Sequence, residues 1–112
     1  MSKAVSLKQG EAKSLTLTVT DNGAAVDLTG ATLFLGVKRQ KSEAQYTFAK
    51  QDADFDKGQA GAGAVTVFLT AADTAQTPGP YVGELKVTYP GSPDTIEKST
   101  DLTLIIEEAV TA

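Results

Sequence analysis

The sequence predicts an all-β protein, an antiparallel sandwich of about seven or eight strands with one short helical corner. Three observations carry this. Apolar residues recur at every second position in short runs, as at Leu15, Leu17, Val19 and again at Val65, Val67, Leu69, the period of a strand with one buried face. Turn residues separate the runs at uneven intervals, and no segment shows the 3.6-residue period of a long helix. Between two of the best runs, Thr70 to Ala75 has room for one helical turn, closed by Pro78-Gly79-Pro80. Uneven spacing and a helical corner argue for a sandwich over an up-and-down barrel, whose hairpins are more uniform.

In chain order, Val5 and Leu7 make a brief first strand ended by Gln9-Gly10, and the flanking Lys3 and Lys8 suit a protected edge. Leu15, Leu17 and Val19 then alternate with threonines at 16, 18 and 20, a half-buried strand with a solvated face. Asn22-Gly23 is the strongest short hairpin signal, because both residues tolerate positive φ; Val26 and Leu28 are the expected return strand. From Thr32 to Lys38, Leu33, Leu35 and Val37 face one way and Phe34 and Gly36 the other, so Phe34 points to a second face that is covered. Lys38 to Ser42 is a polar connection, and Gln45 to Lys50 a further strand carrying Tyr46 and Phe48. Gln51 to Gly63, rich in Asp, Ala, Gly and Lys, is expected to be the longest and least rigid loop.

The strand Ala64 to Leu69, the corner and the strand from Tyr81 to Tyr89 form the centre of the chain. Thr70 can cap the helical turn and Asp73 can accept its backbone N–H bonds. A helical corner with a tyrosine at the start of the next strand is what an immunoglobulin-like sandwich has between strands E and F. Tyr81 stands at the place of the tyrosine corner, though a core aromatic at a strand start fits as well. Pro90 to Asp94 is a turn. The last strand runs from Thr95 to about Glu107, with Ile96, Leu102, Leu104 and Ile106 on one parity and no register break across Ser99-Thr100. Leu17, Leu35, Val67, Leu85 and Leu104 are the expected core across two sheets.

Composition limits function. The 112 residues suffice for a single domain, 1–112, that buries roughly two-thirds of its unfolded surface. There is no cysteine, hence no disulfide or thiolate, and no histidine, the usual general base and metal ligand. A net charge of −4 and a lone arginine, Arg39, argue against nucleic acid. No apolar run approaches the ~18 residues of a membrane span. Met1-Ser2-Lys3-Ala4 lacks the apolar core of a signal peptide, so no export is expected.

Two stretches carry a family resemblance: Val26-Asp27-Leu28-Thr29-Gly30-Ala31-Thr32 leading into an apolar strand, and Val65 to Thr74 followed by Pro78-Gly79-Pro80-Tyr81. In that order they resemble the Ig-like N-terminal domain of phage baseplate upper proteins and of related small phage and prophage structural proteins. The resemblance spans roughly Val5 to Ile106. It implies a sandwich used as a structural connector in a virion, with no catalytic residues; the lack of cysteine agrees with assembly in the host bacterial cytoplasm.

Chemical motifs do not displace that expectation. Asp52, Asp54 and Asp56 alternate as in a calcium loop, but Lys57 and Gly63 stand where an EF-hand needs glycine and a bidentate glutamate. Glu84, Asp101 and Asp27 are strand-edge acids of the solubilising kind, not a glycosidase pair. Gly58 to Gly63 lacks the Lys-Ser/Thr ending of a phosphate loop, and Lys38 to Lys41 reads as a turn. The expectation is therefore a non-enzymatic virion module of the tail, baseplate or head–tail region, needing no cofactor, metal, membrane or small-molecule substrate. Its partners are other virion proteins or copies of itself. The rival is a bacterial surface adhesion or carbohydrate-binding Ig-like module. Because a sandwich must block or use its edges, the long C-terminal strand with Ile105 and Ile106, and the face bearing Phe34, are the candidate contact residues.

Overall fold

The computed structural model describes residues 3–98 and 102–111. Its elements are β1 (Lys3–Lys8), β2 (Lys13–Thr18), β3 (Thr20–Asp21), β4 (Ala24–Ala25), β5 (Thr32–Lys38), β6 (Phe48–Lys50), β7 (Phe55–Asp56), β8 (Ala64–Leu69), helix α1 (Ala71–Thr74), β9 (Gly79–Tyr89), β10 (Thr95–Lys98) and β11 (Leu102–Glu107). Among the described residues, the larger sheet runs β1-β11-β9-β5-β6 with β10 also paired to β9, the smaller runs β2-β8-β7, and β3-β4 is a separate hairpin. In the immunoglobulin scheme β2, β8 and β7 stand as B, E and D, and β11, β9, β5 and β6 as G, F, C and C′. The fold is an all-β sandwich.

Period-2 alternation sets the core. Leu15, Leu17, Val65, Val67 and Leu69 from the smaller sheet meet Leu33, Leu35, Val37, Leu85, Val87 and Leu104 from the larger, all buried. The five expected core residues Leu17, Leu35, Val67, Leu85 and Leu104 are among them. On the solvent side of β2 and β8, Thr16 and Thr66 lie directly opposite, their hydroxyls 3.0 Å apart. The Asn22-Gly23 turn has φ of 53° and 81°, the left-handed pair that a tight hairpin requires.

The central corner closes as its residues dictate. Thr70 Oγ1 accepts the Asp73 amide at 3.2 Å, and Asp73 Oδ2 accepts the Thr70 amide at 2.8 Å, a reciprocal capping box. Asp73 also pairs with Lys50, which β6 buries on the inner side of the other sheet, so the corner is tied to the far edge of the sandwich. Burial works against the charged form of Asp73, but the Lys50 and Thr70 hydrogen bonds outweigh it and hold the carboxyl below its usual range. Tyr81, 4% exposed, donates its hydroxyl to the Thr77 carbonyl at 2.6 Å, and it is both core aromatic and tyrosine corner. The Arg39 guanidinium lies 5.4 Å from the Tyr81 ring centre and donates to the Pro78 carbonyl at 3.4 Å, so the lone arginine braces this corner.

Several expectations are corrected. The sandwich is not wholly antiparallel: β1 pairs in parallel with β11 from Lys3↔Leu102 to Lys8↔Glu107. Gly10, at φ 77°, turns the chain out of β1 and across to the opposite sheet, instead of back beside itself. The second part of the expected C-terminal strand, β11, is therefore interior, while among the described residues β1, β6 and β10, which pairs with β9 alone, stand at the edges of this sheet. Ser99-Thr100 lies outside the described residues, but the pairing on its two sides is offset by one residue, Ile96↔Thr88 against Leu102↔Gly83. Ile96 consequently faces outward while Leu102, Leu104 and Ile106 face the core. Ala24–Ala25 makes the hairpin return, and Leu28 is instead a fully buried corner residue whose amide bonds the Ala60 carbonyl at 2.9 Å.

The segment 51–63 is folded, not an open loop. It supplies β7, the third strand of the smaller sheet, and places Phe55 and Ala60 in the core. Its three aspartates have separate structural partners. Asp52 accepts the Leu33 amide and the Lys57 ammonium, Asp54 the Gln51 amide, and Asp56 the Gly58 amide. The Lys57 and Leu33 hydrogen bonds keep the Asp52 carboxyl below its usual range.

Candidate functional site

The outer face of the larger sheet is where chemistry-bearing side chains collect. Its rows follow from register. Phe34 on β5 lies opposite Lys86 on β9, which lies opposite Lys98 on β10; the next row pairs Gly36 with Glu84, and the next Lys38 with Val82. The sequence reading put Tyr46 on a strand with Phe48, hence on one face. In the structure β6 begins only at Phe48, which pairs with Val37 and packs toward the core, while Tyr46 swings over the outer face. Its ring covers Gly36, where a Cβ atom would stand 2.4 Å from the ring edge. Glycine in mid-strand thus serves a close approach.

Phe34 and Tyr46 meet edge to face, ring centres 5.4 Å apart at 62°. The Lys86 ammonium lies 5.4 Å from the Phe34 ring centre and the Lys38 ammonium 5.3 Å from that of Tyr46, so each ring already carries a cation. With Lys41, Lys98 and Glu84 these residues line a hollow of about 350 Å³. Among the described residues, four lysines and one glutamate line it, which makes this a positive site in a chain of net charge −4.

The candidate contact residues part company here. Phe34 is half-buried in the wall of the hollow. Ile105 is 36% exposed on the same outer face, but it pairs with Pro80, six positions along β9 from Lys86 and so roughly 20 Å away. Ile106 is 2% exposed and belongs to the core, because its parity is that of Leu102 and Leu104; it offers no surface to a partner. Sequence reasoning missed Tyr46, Lys86 and Lys98, and took Lys38 to Lys41 for a turn alone. The one legible signal was Gly36, an isolated glycine within an apolar strand.

Among the described residues no group of three or more acidic, histidine or cysteine side chains gathers as metal ligands, and no helix is long and apolar enough to cross a membrane.

No family model and no curated protein matches this chain. Solved structures do. The chain is similar to the N-terminal domain of phage TP901-1 ORF48, with a TM-score of 0.62 at 11% identity over 95% of this chain and 98% of that one. It is also similar to a chain from a structure on T cell specificity and activation by the bacterial superantigen toxic shock syndrome toxin-1, with a TM-score of 0.50 at 16% identity over 94% of this chain and 93% of that one. At these identities the likeness is one of fold.

Proposed function

We propose that the chain is a non-enzymatic structural and assembly module of a phage or prophage particle, in its tail, baseplate or head–tail region. It is assembled in the host bacterial cytoplasm and joins neighbouring subunits through the outer face of its larger sheet. The observation that carries this reading is the near-complete mutual coverage with the N-terminal domain of a phage protein, found independently of the motifs at Val26 to Thr32 and Val65 to Tyr81. The lack of histidine and cysteine supports a role without catalysis. The hollow supports protein contact over sugar binding, since both its rings are already faced by lysines and leave no bare aromatic platform. The test is the protein composition of particles purified from the host that encodes the chain. Mass spectrometry should find it at a copy number fixed relative to the other tail components. Its absence from particles, with binding of the purified chain to a glycan array, contradicts the reading and favours an adhesion module.

A further inference from the structure

We infer that the lysine-lined hollow receives the acidic segment Glu107 to Val110 of a second copy of this chain, so that copies join head to tail. The inference rests on the assembly reading for its setting; its content comes from charge and geometry. Lys86 and Lys98 stand directly opposite on paired strands, an arrangement of like charges that repels unless an anion lies between them. Of the chain's 14 acidic and 10 basic residues the hollow takes Glu84 and four lysines, leaving thirteen acids and six bases for the remainder. A second copy is therefore an acidic partner. It offers an exposed acidic segment at the end of β11: Glu107, the last residue of that strand, and Glu108 are exposed, and Val110 is 98% exposed. Two carboxylates with an aliphatic side chain beside them match ammonium groups with the Phe34 and Tyr46 rings beside them. A chain cannot fill its own hollow, because Ile106 pairs with Gly79, seven positions along β9 from Lys86 and so roughly 23 Å away. The contact joins two different surfaces, and such contacts build closed rings or open tubes.

Sedimentation velocity of the full chain tests this. The wild type should associate with rising concentration, and less so as salt shortens the Debye length from about 10 Å toward 3 Å. Two variants, Lys86→Glu/Lys98→Glu and Glu107→Lys/Glu108→Lys, should each keep the wild-type melting curve and associate at least about tenfold more weakly. Mixed together they should associate again, since the acidic hollow of one accepts the basic segment of the other and the reverse contact is native in charge. Asp21→Lys/Asp56→Lys, with the same change in net charge elsewhere, keeps the native hollow and the native segment and should associate with itself as the wild type does. A wild type that stays monomeric, variants that associate as the wild type does, or a control that loses association as the segment variant does each overturn the inference. A monomeric chain nonetheless found in purified particles overturns this contact and leaves the assembly reading standing; a self-associating chain missing from particles does the reverse.

Discussion

Gly63 and Gly36 show how differently two glycines can constrain one sandwich. Gly63 has φ of 79°, and a Cβ there would stand 2.9 Å from the carbonyl oxygens of both Val19 and Val26, backbone atoms that cannot swing aside. Gly63→Ala should therefore cost at least about 2 kcal/mol, the left-handed penalty alone being about 1–2 kcal/mol. The tighter approach, at Gly36, is made by Tyr46, a side chain 51% exposed that can rotate into solvent. Gly36→Ala should cost less than about 1 kcal/mol, within the range of surface changes, yet strip the ring from the hollow. Urea unfolding of the two variants checks the order; an equal or greater loss at Gly36 shows that the Tyr46 contact is structural. At Tyr81, removing the hydroxyl that bonds Thr77 should cost about 1 kcal/mol, measured as Tyr81→Phe.

At the scale of elements, the inward parity of β9 predicts that Leu85→Ala costs about 2–5 kcal/mol, as a large-to-small change in the core, while exposed Thr18→Ala stays within about 0.5 kcal/mol. The corner gives a pH prediction. The Asp73 carboxyl is held below 3.8, so its contribution is fully present above that unfolded value and is lost as pH falls through the lower folded one. Asp73→Asn keeps a capping oxygen but no charge, and its stability should fall less steeply than the wild type's below about pH 4. Parallel acid limbs in thermal melts would contradict the Lys50–Asp73 tie. Long strands such as β2, β8 and β9, and the capping box at Thr70, were legible because alternation and capping are local. The two-residue β7 was not: Phe55-Asp56 is too short to show a period, and its aspartates read as loop chemistry. Nor was the parallel partner of β1, since alternation tells which face a strand buries and not which neighbour it joins.

For the whole molecule, the sandwich is shared with a phage protein domain at 11% identity, so what the two chains have in common is a pattern of inward positions more than particular residues. The lysine-lined hollow is the opposite case. Lys38, Lys41, Lys86 and Lys98 come from β5, the connection after it, β9 and β10, and only the strand order places them around one hollow. In sequence they are ordinary solvated charges. The candidate contact at Phe34 was legible from its wrong-way parity, and so was the burial of Ile106, whose parity with Leu102 and Leu104 points it inward; it was misjudged because the strand was taken for an open edge, and its pairing with β1 is a non-local fact. The account's central claim is that this outer face is covered when the chain is assembled. Lysine-reactivity footprinting, by acetylation of the free chain and of intact particles, tests it most directly. Lys38, Lys86 and Lys98 should be labelled freely in the isolated chain at low concentration and protected in particles, while exposed Lys8 and Lys13 react alike in both. Equal labelling of all five lysines in the two states would contradict the claim.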